Sequence, residues 1–244
     1  MVQTRRVDLP HIDNERLAGS ADISEEQALA LLKRRDLSQR MLEALVANRA
    51  AMRHRSVLLE AVKHPRAPRH VSLPALRHLY TFELMQVGLT AGVPVDVKLA
   101  AEDTLISRLE TMSPGERLTL AKRSSARLAA ALLLDTEEQV VAAALENPHM
   151  TEESVVKALM TAPAGPHATS ALATLLLRHP KWSVRTDVEI ALLESGRLRT
   201  SDAVLLVHSL STKVLRLLLE RDRLPAVAKA AVREELRADA SRQD

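Results

Sequence analysis

The sequence predicts an all-α protein, an α-solenoid in which short antiparallel helix pairs stack into a superhelix. Three observations point there. Apolar residues recur at spacings of three and four in almost every segment from Ser24 onward, and no segment alternates β-branched and polar residues as a half-buried strand would. Helix starts are marked by capping pairs such as Ser24 with Gln27 and Ser113, Pro114 with Glu116. A helix-turn-helix step also recurs: at an offset of 32 residues, Asn147 and Pro148 fall on His179 and Pro180, and Thr151 falls on Ser183. His64 and Pro65 repeat the step a third time.

Taken in order, residues 1–22 mix Pro10, Gly19 and both charge signs without periodicity, and are expected to form a flexible or docked arm. Ser24 and Gln27 open a helix over 24–34, followed by helices over 37–48 and 54–63, the last closed by Pro65. Two longer helices are expected over 73–89 and 95–111, separated by Gly92. Ser113, Pro114 and Glu116 start 114–122, and 125–134 follows. Asp135 with Glu138 opens 136–146, Thr151 caps 152–162, and 167–178 ends before Pro180. Ser183 caps 184–194, which Gly196 terminates; Thr200 caps 201–209, and helices over 212–221 and 226–238 complete the series. Residues 23–238 therefore form one helical-repeat array, and 239–244 a frayed tail. A single pair of such helices cannot bury its apolar face alone, so neighbouring pairs must share a continuous core.

Through the Asn147-Pro148 and His179-Pro180 steps, residues 137–196 resemble the HEAT-like repeats and the leucine-rich-repeat variant of bacteria, whose units also place such a step between short helices. The likeness extends over residues 37–236. It implies a scaffold that binds another protein or peptide through a solenoid surface, and with neither a glycine-rich phosphate loop nor a nucleophile-elbow serine in the chain, no catalysis and no cofactor are expected. The segment around Lys181, Trp182, Arg185, Asp187 and Glu189 resembles HEAT-like DNA glycosylases, in which a carboxylate supports departure of a cationic base. That resemblance implies Asp187 as the electrostatic group and Trp182 as the aromatic wall. Duplex nucleic acid is accordingly the alternative partner.

Composition narrows the functions further. The content of 46% hydrophobic and 27% charged residues is that of a folded chain. The absence of cysteine excludes disulfides, thiolate nucleophiles and cysteine-ligated metals. One Trp, one Tyr and one Phe cannot assemble a base-stacking platform for single strands. The longest apolar run, Leu128 to Leu134, is far short of the roughly 20 residues that span a bilayer, and the amino terminus has no signal-peptide core, so a cytoplasmic protein without a membrane partner is expected. No pair of histidines lies four apart on a helix, and no metal site is expected.

Two stretches stand out as partner-binding candidates. Between Arg53 and His78, the six cations Arg53, Arg55, Lys63, Arg66, Arg69 and Arg77 face only Glu60. A solvated face offset by acidic helices nearby, such as the one with Glu25 and Glu26, is the favoured reading. If the stretch binds, Arg66, Arg69, His70 and Arg77 form the rim while Leu73, Leu76 and Leu79 pack inward, and such a rim suits an acidic partner or phosphates. The second candidate is Lys181, Trp182 and Arg185, with Trp182 wedged between repeats as the favoured reading. His64 and His179 are expected to bond the last carbonyls of the preceding helices. Tyr80, Phe82 and Met85 are expected to pack in the core of the long central helix. Far-ultraviolet circular dichroism should show mainly helix, and a strand content above about a fifth would overturn the fold class.

Overall fold

The computed structural model describes residues 11–34, 37–161, 168–221 and 223–243, with the backbone alone for 11–13, 168–170 and 242–243. Among the described residues there are seventeen α-helices, three 3₁₀ turns and no strand, so the protein is all-α. None of these helices is long and apolar enough to cross a membrane. Packing divides the chain into two compact units, Met1–Glu110 and Thr111–Asp244.

The first unit contains α1 (His11–Gly19), α2 (Glu25–Leu32), α3 (Gln39–Ala47), α4 (Arg49–Met52), α5 (Arg55–Lys63), α6 (Arg69–Ala75), α7 (Thr81–Leu89) and α8 (Val95–Arg108). Helices this short are marginal in isolation, and packing of an apolar face must hold them. Here α1 packs on α3, α2 on α5, α5 on α7 and α6 on α8, with the most extensive contact between α7 and α8. The core of the amino-terminal helices gathers Met41, Leu42, Leu45, Ala51 and Val57, all at 0% exposure. Part of the stretch expected to be an arm is thus the helix α1, with Ala18 fully buried.

The second unit contains α9 (Pro114–Arg123), α10 (Ala126–Ala131), α11 (Glu138–Leu145), α12 (Glu152–Thr161), α13 (Ala168–Arg178), α14 (Thr186–Ser195), α15 (Thr200–Ser209), α16 (Thr212–Arg221) and α17 (Ala226–Gln243). Alternate helices lie side by side: α9 on α11 and α11 on α13 make one row, while α10 on α12 and α12 on α14 make another. Farther on, α15 and α16 both pack on α17. Gly196 closes α14 in the left-handed conformation (φ 67°), which an L side chain rarely adopts. The tail expected to fray over 239–244 is helical through Gln243, and Asp239 accepts a 2.8 Å hydrogen bond from Thr212 Oγ1.

The expected long helix over 73–89 is broken. A 3₁₀ turn, Leu76–His78, follows α6, and Leu79 and Tyr80 are extended before α7 begins. Side chains from elsewhere hold the break open. Arg108 donates to the Leu79 and Arg77 carbonyls (2.9 and 3.1 Å), Arg55 donates to the His78 carbonyl (3.0 Å), and the Tyr80 N–H donates to Glu83 Oε2 (2.7 Å). Those bonds replace the intrahelical ones that a continuous helix would make.

A related device ties successive helices together. Asn48, just past α3, donates through Nδ2 to the Ala18 and Ser20 carbonyls at the end of α1 (3.0 and 2.7 Å). Its Oδ1 accepts from the Ala50 N–H that opens α4 (2.9 Å). Asn147, just past α11, repeats both halves: Nδ2 donates to the Ala121 and Ser124 carbonyls of α9 and its exit (2.7 and 3.2 Å), and Oδ1 accepts from the His149 N–H (2.8 Å). Asn147 is 1% exposed, so its amide has no water to fall back on. Replacing Asn147 with Ala should cost about 2–3 kcal/mol in urea denaturation. Asn147→Asp, which keeps the acceptor and loses the donor, should cost at least as much, and wild-type stability in either variant would contradict the tie.

Candidate functional site

Four of the six cations of the 53–78 stretch have partners: Arg55 and Arg69 meet carboxylates from outside it, Lys63 meets Glu60 within it, and Arg66 meets a backbone carbonyl. Arg55 forms a bidentate pair with Glu83, Nε to Oε1 and Nη2 to Oε2, both 2.7 Å, and lies over the Tyr80 ring. The guanidinium holds the Glu83 carboxyl below its usual range, so the pair is intact at neutral pH and is lost only as acid titrates Glu83 through that lowered value. Arg69 pairs with Asp96 at 3.0 Å, Lys63 with Glu60 at 2.6 Å and His54 with Glu25 at 3.5 Å. Arg66 donates to the Leu37 carbonyl. Glu83 and Asp96 thus offset part of the six-to-one imbalance of the segment.

Arg66, Arg69, His70 and Arg77 are all exposed, but they divide between the α5–α6 turn, the start of α6 and the 3₁₀ turn. Leu76 and Leu79 are buried, whereas Leu73 is 39% exposed, a correction to the inward-packing set. Tyr80 and Phe82, expected in the core, are 66% and 42% exposed, because the break at Leu79 re-aims the start of α7.

The two histidines before proline differ from expectation as well. His64 Nδ1 accepts from the Arg66 N–H (3.2 Å), and His179 Nδ1 accepts from the Lys181 N–H (3.1 Å). They serve the following turn and not the preceding helix end, performing the acceptor half of what Asn147 does. Burial and the Arg66 charge lower the His64 pKa, as suits an imidazole whose Nδ1 is an acceptor. At the His179 step the donor half falls to Trp182, whose indole N–H donates to the Leu145 carbonyl at the end of α11 (3.0 Å).

Trp182 is 2% exposed. It therefore cannot contact a partner or wall a base pocket, which corrects its place among the partner-binding residues and removes the aromatic element of the glycosylase resemblance. Lys181 Nζ covers one face of its ring at 4.1 Å, and His179 lies 6.2 Å away, centroid to centroid. Lys181 and Arg185 are exposed, with Arg185 at 3.8 Å from Glu152.

Beside this turn lies a feature that periodicity did not reveal. An open groove of about 660 Å³ runs between α13, α14 and α15. Val184 and Leu205, 72% and 69% exposed, stand on its walls with Leu177 and Leu192. Arg178 and the Arg199–Asp202 pair (2.8 Å) mark its polar edge. Burial raises the pKa of Glu189, which also lines it. The available signal was that Leu205 falls off the buried stripe of Ala203, Leu206 and Val207, while Val184 stands in a turn. Among the described residues no group of three or more His, Cys, Asp or Glu is placed to hold a metal ion.

No family model, curated protein or solved structure matches the chain. The site has to be read from its own geometry. Trp182→Ala should destabilise the protein by roughly 3–5 kcal/mol. Trp182→Phe, which leaves the Leu145 carbonyl unpaired, should cost about 1–3 kcal/mol. Thermal denaturation reads both, and unchanged stability would return Trp182 to the list of binding residues.

Proposed function

We propose that the chain is a noncatalytic protein-interaction module of the helical-repeat kind, in which the groove between α13, α14 and α15 receives an apolar segment of a partner protein. One observation carries this reading: the open groove is flanked by two large aliphatic side chains, Val184 and Leu205, that the fold leaves mostly in water. Exposed apolar residues clustered about a concavity mark interaction sites, whereas scattered ones do not. An amphipathic helix fits best, since its i, i+3, i+4 apolar face can lie along such a trough with its polar side outward. The rows of alternate helices in the second unit support the solenoid reading and the likeness to HEAT-like and leucine-rich-repeat-variant repeats. A cytoplasmic setting belongs to the same proposal.

Duplex DNA fits the site less well. The cations of the 53–78 stretch are held in ion pairs or by a backbone carbonyl at Arg55, Lys63, Arg66 and Arg69, and phosphates would have to displace those partners. A wild-type chain used as bait should capture a partner that the Val184→Asp, Leu205→Asp double variant does not, with the thermal midpoint unchanged within a few degrees. Mobility shift with duplex DNA at about 50 and about 200 mM salt supplies the opposing test. Tight DNA binding that collapses at the higher salt, or equal partner capture by the double variant, would overturn the proposal.

A further inference from the structure

Helix α14 has a second lined face. Glu189 and Leu192 point to the groove described above, while Asp187, Ile190, Ala191 and Glu194, spaced i, i+3, i+4 and i+7, line a separate trough of about 440 Å³. The facing wall is α12, which supplies Glu152, Glu153, Val156 and Met160, and Arg221 and Arg223 close one end. Four carboxylates thus stand against two guanidiniums over an apolar floor. The carboxylates belong to two packed helices, so the charge is fixed in space and not carried on a loop.

Glu194 is the unusual member. Its side chain is 5% exposed, and its Oε1 has no hydrogen-bond donor. The cation beside it among the described residues, Arg221 Nη1, is 3.9 Å away, beyond hydrogen-bond reach. A carboxylate removed from water with an oxygen unfilled is costly, and a donor delivered into the trough would relieve that cost. Arg185 engages Glu152 at 3.8 Å, leaving Glu153 and Asp187 exposed and without an ion-pair partner among the described residues.

We infer that this trough is a docking site for an arginine- or lysine-bearing segment of the partner protein. The cationic head would meet Glu194, Asp187 and Glu153, and its methylene stem and a neighbouring apolar residue would lie on Val156, Ile190 and the exposed Met160. Charge complementarity selects this occupant: the trough is acidic on a chain whose net charge is +3. The inference rests on the interaction-module reading but uses different residues, and it makes this face selective for a basic partner segment, where the Arg rim would have favoured an acidic one.

The probe is a fluorescein-labelled amphipathic peptide with arginines and leucines along one face, compared with its citrulline counterpart, which keeps the shape and removes the charge. Fluorescence anisotropy with the full chain should show the arginine peptide bound at least about tenfold more tightly than the citrulline peptide. The near-isosteric triple variant Glu153→Gln, Asp187→Asn, Glu194→Gln should lose about tenfold in affinity. A control with the same charge change, Glu15→Gln, Glu26→Gln, Glu234→Gln, should stay within about twofold of wild type. Asp187→Asn alone, at an exposed position, should show a smaller loss of the same sign, so the result does not depend on tolerance of the buried change. Equal loss in the control, equal binding of the citrulline peptide, or equally strong displacement by spermine would each overturn the inference. If the Val184→Asp, Leu205→Asp variant keeps the arginine peptide but captures partners as wild type does, the groove fails and the trough stands. The reverse pattern, with arginine-peptide binding intact in the triple variant, leaves the groove and sinks the trough.

Discussion

The constraint on which the structure depends is the disposal of helix-end carbonyls. Every α-helix leaves its last four carbonyls without intrahelical donors, and in a helix of eight to eleven residues that is a large share of the backbone. When such helices stack closely, water is excluded from many of these ends. The protein answers with side-chain donors from just past the helix two places on: Asn48, after α3, to the end of α1; Asn147, after α11, to the end of α9; and Trp182, after α13, to the end of α11. Arg108 and Arg55 do the same for the broken segment between α6 and α7. Each donor lies more than twenty residues from its acceptor, so these bonds are tertiary contacts that also fix how far one helix can slide past its neighbour.

This accounts for much of the polar chemistry that looked functional. A guanidinium has five donors and a planar shape, so a single arginine can hold a carboxylate and a backbone carbonyl together, as Arg55 does with Glu83 and His78. Arg117 likewise pairs with Asp135 at 2.8 Å and donates to the Met112 carbonyl at 2.8 Å. Several arginines of this mildly basic chain are therefore internal fasteners. What remains free for partners is better sought where the fold leaves apolar side chains exposed or carboxylates unmet.

The helices were legible because their signals are local. Ser24 with Gln27 and Ser113 with Glu116 form the expected capping boxes, since a cap and its reciprocal partner lie within one turn of chain. The break at Leu79 was not legible, because Tyr80 is no capping residue by type and the bonds that hold the break come from Arg55 and Arg108. The paired state of the basic stretch was hidden for the same reason: Glu83 and Asp96 lie outside it in sequence. Trp182 was legible as a packing residue from its size and its place after a helix-ending step, but its bond to Leu145 needed the neighbouring helix in place. The exposure of Val184 and Leu205 was not read from the sequence: Val184 was expected to open the helix over 184–194 but stands in the turn before α14.

The architecture gives α14 an unusual position. Its buried residues, Val188, Ala191, Leu192 and Leu193 among them, anchor it in the core, and its remaining faces border the groove toward α13 and α15 on one side and the trough toward α12 on the other. The two concavities differ in character because the flanking helices differ: α15 contributes aliphatic Leu205, whereas the first turn of α12 contributes Glu152 and Glu153, where acidic residues also favour the helix dipole. A partner segment seated on either face would press on the same rigid element, and the tie between Trp182 and Leu145 just before α14 resists displacement of that element. The hydrogen bond that solves a backbone problem at the end of α11 thus also fixes the starting point of the helix that both candidate surfaces share.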